Sequence, residues 1–183
     1  MDWQSAVMTE SMRRRPPFVA DERTQLVGWL DLQREIVRWK CEGLTDEEAH
    51  RSVIPTSPLM TVGGILSHLR WTEDTWFEVA FLGADPIGRP QFEEGENGAE
   101  LDLDWQVDEV PLDQLLADYE QACDRSNEII AAHSLDDVGQ QSAWPSGGAT
   151  LRWMLHHMLE ETARHAGHLD LIRELVDGEK GYY

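Results

Sequence analysis

Four segments of the sequence repeat apolar residues at intervals of three and four, which is the spacing of one face of an α-helix. The predicted helices cover about 21–41, a second segment that begins after Thr61, about 112–133, and about 150–176. Residues that break helices, such as Pro55, Pro58 and Pro145, lie between them. No segment alternates as a strand does. The pattern therefore predicts an all-α four-helix bundle, a fold that places ligand and metal sites between facing helices.

Residues that commonly cap or end helices lie at the ends of these segments. Asp21, Thr61 and Thr150 each precede a periodic segment and are predicted N-caps. Gly43 follows the first helix and Gly178 follows the last, where glycine commonly ends a helix.

A chain of 183 residues suits one domain. We predict an N-terminal arm at 1–20 and a single domain at 21–183, with a long acidic loop at about 83–111. A loop of that length is usually a functional lid or a mobile insert. Its acidic residues lack the regular ligand spacing of a calcium-binding EF-hand, so we interpret the acidic part as a solvated loop.

The charge of the chain excludes several kinds of partner. Acidic residues outnumber basic ones 35 to 15, for a formal charge of −20. Such a chain repels phosphates, so nucleic acids and anionic membrane surfaces are not expected partners. The one basic run, 13–15, precedes two prolines and is interpreted as a solvated arm.

The two cysteines indicate a reducing compartment. Cys41 and Cys123 lie far apart in the sequence and form no CxxC motif, so neither a disulfide framework nor a thiolate metal site is predicted. The first residues lack the pattern of a signal peptide, and no apolar run reaches membrane-spanning length. We therefore predict a cytoplasmic protein.

Two ionisable residues interrupt the apolar face of the fourth predicted helix. That face reads Met154, Met158, Glu161, His165, Leu169, Ile172. His68 likewise interrupts the inward face of the second helix. A carboxylate in a core needs compensation from a cation or from several donors, because burying it alone costs several kcal/mol. Two imidazoles and one carboxylate are a sufficient ligand set for Zn²⁺, Ni²⁺, Fe²⁺ or Mn²⁺, with positions left open for reaction.

Spacing alone leaves alternatives open. Glu161 and His165 also suit a hydrogen-bonded i, i+4 pair that faces a wet groove, and a single buried histidine is usually a satisfied core residue. His157 lies four residues before Glu161, and His168 lies three after His165. Each suits a metal ligand, a hydrogen-bond partner of a ligand, or a proton shuttle.

Three stretches of the sequence resemble the DinB-like superfamily of metal-binding bundles. They are Asp21–Leu26, Gly64–Leu69 with Glu73 and Trp76, and Leu151–Trp153 followed by His157–Met158 and Glu160–Asp170. The resemblance extends from about 16 to 181, and it is closest to an actinobacterial branch. It implies a four-helix bundle that holds one divalent metal ion.

The resemblance also implies which residues bind that ion. His68 falls on the ligand of the second helix. Many members use a His-xxx-His pair on the last helix, whereas the related mycothiol-dependent maleylpyruvate isomerases use Glu-xxx-His, and that form matches Glu161 and His165. His168 falls where many members have Gln. Members of known activity transfer or add low-molecular-weight thiols such as mycothiol, which implies a metal-dependent thiol S-transferase or thiol-assisted isomerase.

The expected partners are one divalent ion, Zn²⁺ first and Ni²⁺, Fe²⁺ or Mn²⁺ otherwise, together with mycothiol and a small electrophile. We expect His168 or His157 to relay the proton, and Arg164 or Arg173 to hold an acidic group of the thiol or substrate. The resemblance also suggests a homodimer. The alternatives are a non-catalytic stress-response protein that binds a metal or ligand, and a metal-free interaction module.

Overall fold

The computed structural model describes residues 15–85, 92–94, 100–107, 110–140 and 148–180. These residues are mostly helical, which confirms the predicted all-α fold of the DinB-like four-helix class. The chain divides into two compact units, each with most of its contacts within itself. The first contains the described residues up to 42 and from 155 onward, and the second contains residues 43–154. Arg13 and Arg14 of the predicted arm lie outside the described residues.

The first unit contains helix α1 and most of helix α5. Helix α1 spans Glu22–Trp39, and α5 spans Leu151–Val176. The predicted cap of α1 is confirmed, because the Asp21 carboxylate accepts the backbone N–H of Thr24 at 3.0 Å. Side chains from both helices are fully or almost fully buried, among them Leu30, Val37, Met158, Leu169 and Ile172. After α5, Gly178 has a φ of 80°, a conformation that ends the helix at low steric cost.

The second unit is built around helices α3 and α4, which contact each other. A short helix α2, Asp46–Ala49, precedes them. Helix α3 spans Val62–Glu73 and begins at the predicted cap, where the Thr61 hydroxyl accepts the backbone N–H of Gly64 at 3.0 Å. Helix α4 spans Leu112–Ala132. Its buried face includes Leu115, Tyr119, Cys123, Ser126 and Ile130, at the spacing of an α-helix, whereas Leu116 is only half-buried.

Helix α3 continues into a π-helical segment, Asp74–Phe81, that the apolar spacing does not predict. The wider turn shifts the inward face by about one residue. Ala80 and Phe81 are buried, whereas Val79, which lies three residues after the buried Trp76, is only half-buried.

The long loop contains short regular elements between its undescribed parts. Strands β1, Phe92–Glu94, and β2, Glu100–Asp102, pair antiparallel with Phe92 opposite Asp102. A 3-10 turn, Leu103–Trp105, follows directly and contacts α3. The ribbon is a local addition to the helical fold, and it brings the end of the acidic loop against a helix.

None of the helices in the described ranges combines the length and apolarity that crossing a membrane requires.

Candidate functional site

His68 lies one helical turn after Gly64 on α3, and the glycine makes room for its surroundings. A Cβ at position 64 would collide with the carbonyl oxygen of Leu59 and would come within 3.4 Å of the Trp105 ring. Helix α3 therefore lies closer to the chain that enters it than a side chain at this position would allow, and it also packs against the 3-10 turn. This close approach explains why the sequence has glycine four residues before the histidine.

The 3-10 turn holds His68 from two directions. The Nδ1 atom of His68 lies 2.7 Å from Oδ2 of Asp104, and both side chains are largely buried. The ring of Trp105 stacks on the imidazole, with 4.4 Å between centroids and 18° between planes. Because a carboxylate only accepts hydrogen bonds, Nδ1 carries the proton and the lone pair of a neutral ring resides on Nε2.

Asp104 corrects the interpretation of the acidic loop as solvated throughout. Its side chain is 2% exposed, and its Oδ1 atom is buried with no hydrogen-bond partner among the described residues. Sequence reasoning missed it because nothing in the local pattern distinguishes Asp104 from the other acidic residues of the loop.

Glu161 and His165 form the predicted pair on α5. The Nε2 atom of His165 lies 3.2 Å from Oε1 of Glu161. The histidine is buried and the glutamate side chain is 19% exposed. This is the i, i+4 contact that the spacing predicts.

His168 contacts His165 on the other ring nitrogen. The two Nδ1 atoms lie 3.3 Å apart, and the rings meet edge to face. Burial, and then the nearby His165 and Arg164, lower the pKa of His168. Because the Glu161 carboxylate only accepts, the proton of a neutral His165 lies on Nε2, and its Nδ1 accepts a hydrogen bond from the Nδ1–H of His168.

The other predicted site residues make different contacts. His157 lies 4.0 Å from the carboxylate of Glu160, and Arg164 is exposed and donates to the same carboxylate at 3.0 Å. Arg173 is buried, and its guanidinium donates to the carbonyl oxygens of Lys40 and Glu42 at 2.7 and 3.1 Å. These contacts favour structural roles, with Arg173 capping the end of α1.

Both cysteines are buried. Burial raises the pKa of Cys41 to about 12, and its thiol donates to the Val37 carbonyl at 3.3 Å. Cys123 is completely buried near Glu73. Neither cysteine has the exposed, electropositive surroundings of a reactive thiolate.

His68, Glu161 and His165 are a group of side chains that can hold a metal ion, with one donor atom from each. The donor set fits a divalent first-row ion, because imidazole and carboxylate are ligands that Zn²⁺, Ni²⁺, Fe²⁺ and Mn²⁺ all accept. The contact between His68 and Asp104 fits as well, since metal-bound histidines usually donate their second N–H to a carboxylate or carbonyl. No other group of three potential metal ligands occurs among the described residues.

Comparison with known proteins gives one match. The family model described as MST, mycothiol-S-transferase, matches residues 25–178. That range contains all the residues of the candidate site. No curated protein and no solved structure matches the chain.

Proposed function

This chain belongs to the mycothiol S-transferase family, and we propose that it is a metal-dependent enzyme that joins the sulfur of mycothiol to a small electrophile. The match of the family model over residues 25–178 carries this proposal. The donor set supports it, because three protein ligands leave positions open for a thiol, as in catalytic rather than structural metal sites.

We assign His68, Glu161 and His165 as the ligands, through Nε2 of both histidines and a carboxylate oxygen. When bound, a divalent ion supplies Lewis-acid chemistry that lowers the pKa of a thiol, so that the nucleophilic thiolate exists at neutral pH. Zn²⁺ is the ion we would test first, followed by Ni²⁺, Fe²⁺ and Mn²⁺.

The protein's own residues orient the ligands. Asp104 and Trp105 hold the ring of His68, and His168 contacts Nδ1 of His165, whose Nε2 lies beside Glu161. His168 is also the residue that we retain as the proton relay, since it is partly exposed and adjoins a ligand. We assign no reacting role to His157, Arg164 or Arg173.

The reaction balances without an oxidant or a reductant. The thiol loses its proton to a base, and the sulfur lone pair forms the new bond to an electrophilic carbon. In a substitution the leaving group departs with the electron pair of the broken bond. In an addition the substrate takes up a proton instead, and in a thiol-assisted isomerisation the sulfur later leaves again.

The direct test is conjugation of mycothiol to monochlorobimane by the purified protein, with and without each metal. We expect conjugation that stops when the metal is chelated and resumes when it is restored. His165→Gln should reduce the rate by about a hundredfold or more, because it removes a ligand that activates the thiol.

His156→Gln is the matched control, because His156 lies on the same helix but is exposed and outside the ligand group. It should conjugate at the native rate. Conjugation that is equally fast without metal, or that survives in His165→Gln, would refute the metal-dependent reaction.

A further inference from the structure

We propose that Asp104 is a positioning residue of the metal centre, which fixes His68 in the tautomer and orientation that bind a divalent cation. The inference rests on the proposed function for the identity of the ligand. It adds the 3-10 turn Leu103–Trp105 to a centre that is otherwise built from helices.

The hydrogen bond to Asp104 sets the tautomer of His68. At 2.7 Å, the contact between Nδ1 of His68 and Oδ2 of Asp104 is short for an N–H···O bond, as expected when the acceptor is charged. A neutral histidine has two tautomers, and this bond selects the one with its proton on Nδ1. Nε2 then carries the lone pair that a metal needs.

Trp105 restrains the ring of His68. Trp105 stacks nearly parallel on the imidazole, so the ring cannot rotate about χ2 without losing that contact. The indole packs directly over Gly64, where an added Cβ would lie 3.4 Å from the ring. The imidazole is thus held by a hydrogen bond in its plane and by an aromatic face above it.

The charge of Asp104 is buried. A carboxylate that is 2% exposed, with one oxygen that has no hydrogen-bond partner in the described part of the chain, is costly to bury. A neutral imidazole compensates this charge only weakly. A divalent cation on the far nitrogen of the same ring would compensate the charge much better. Such a cation would explain why a carboxylate is buried at this position.

Asp104→Asn keeps the shape of the side chain and removes its charge. The amide can also turn to donate to Nδ1, which favours the other tautomer of His68. We expect Zn²⁺ affinity, measured by competition with a chromophoric chelator, to fall about 10- to 100-fold. Asp102→Asn is the matched control, because Asp102 is an exposed carboxylate two residues away, and its Zn²⁺ affinity should stay within about twofold of native.

A second measurement does not depend on any metal. Long-range ¹H–¹⁵N spectra of the apo protein report the tautomer of each histidine, and a His68→Gln sample identifies the signal of His68. The native protein should show the proton on Nδ1, whereas Asp104→Asn should show a mixture or the Nε2 form. Circular dichroism verifies that both variants fold.

The outcomes separate the two proposals. Native Zn²⁺ affinity in Asp104→Asn, or an unchanged His68 tautomer, would overturn the role of Asp104. A native protein that shows the expected tautomer but binds no divalent ion would instead refute the proposed metal function and leave the orientation of His68 by Asp104 supported.

Discussion

At the scale of single residues, both predicted histidine ligands contact a polar neighbour. Asp104 holds His68, and His168 holds His165. The sequence indicated these candidate residues because an ionisable residue on an apolar helix face is unusual. It did not indicate Asp104, which is 36 residues from His68 in the chain. Helical periodicity carries no information about which loop residue returns to a helix.

The burial of the two cysteines also bears on the proposed reaction. In a thiol transferase, the nucleophile is either a protein thiol or the thiol of the cosubstrate. Cys41 is buried with a pKa raised to about 12, and Cys123 is buried as well. The reacting sulfur should therefore belong to the cosubstrate.

We predict that neither cysteine reacts with 5,5′-dithiobis(2-nitrobenzoic acid) in the folded protein at pH 7. The physical reason is the exclusion of both thiols from solvent. The chain unfolded in guanidinium should release the signal of two thiols, which matches its two cysteines. Rapid labelling of the folded protein, accompanied by loss of conjugation activity, would instead indicate a protein nucleophile.

At the scale of secondary-structure elements, the caps were predictable and the π-helical segment was not. Asp21 and Thr61 cap α1 and α3 as predicted, because the hydrogen bonds of a cap are local in sequence. The segment Asp74–Phe81 differs from an α-helix by a small shift of the buried face. The apolar residues of this segment are compatible with both an α-helical and a π-helical turn, so their spacing cannot distinguish the two kinds of helix.

Asp74, the first residue of the π-helical segment, has a raised pKa. Burial raises the pKa of Asp74 from 3.8 to about 6, although Arg70 lies 2.9 Å away and opposes the shift. A folded-state pKa above that of the unfolded chain means that the protonated carboxyl contributes stability, which is lost as the pH rises through about 6.

Asp74→Asn should remove this pH dependence. Relative to the native protein, the free energy of unfolding of the variant should rise between pH 4 and pH 7 by roughly 1 to 2 kcal/mol. Denaturant titrations across this pH range measure the difference. Asp124→Asn, which replaces an exposed carboxylate of α4, is the control. Its free energy of unfolding should change with pH in parallel with that of the native protein. The same parallel change in Asp74→Asn would contradict the raised pKa.

At the scale of the whole molecule, the fold class and the family were predictable from sequence. The helical spacing predicted the all-α class, and the resemblance to DinB-like proteins agrees with the family match. The short ribbon and the 3-10 turn were not predictable, because they are brief and lie within a loop rich in polar residues. Yet that turn supplies two of the contacts of His68, so the part that sequence reasoning assigned to solvent bears directly on the site.

The central claim is that one divalent ion binds through His68, Glu161 and His165. The most direct measurement is a Zn²⁺ titration of the apo protein alongside two adjacent variants, Glu161→Gln and Glu160→Gln. Glu160 is the matched control, because it is exposed and pairs with Arg164. We predict one ion per native chain, the same affinity in Glu160→Gln, and a loss of at least about a hundredfold in Glu161→Gln, more than an outer partner of a ligand usually contributes. Equal affinities in the two variants, or no binding by the native protein, would contradict the claim.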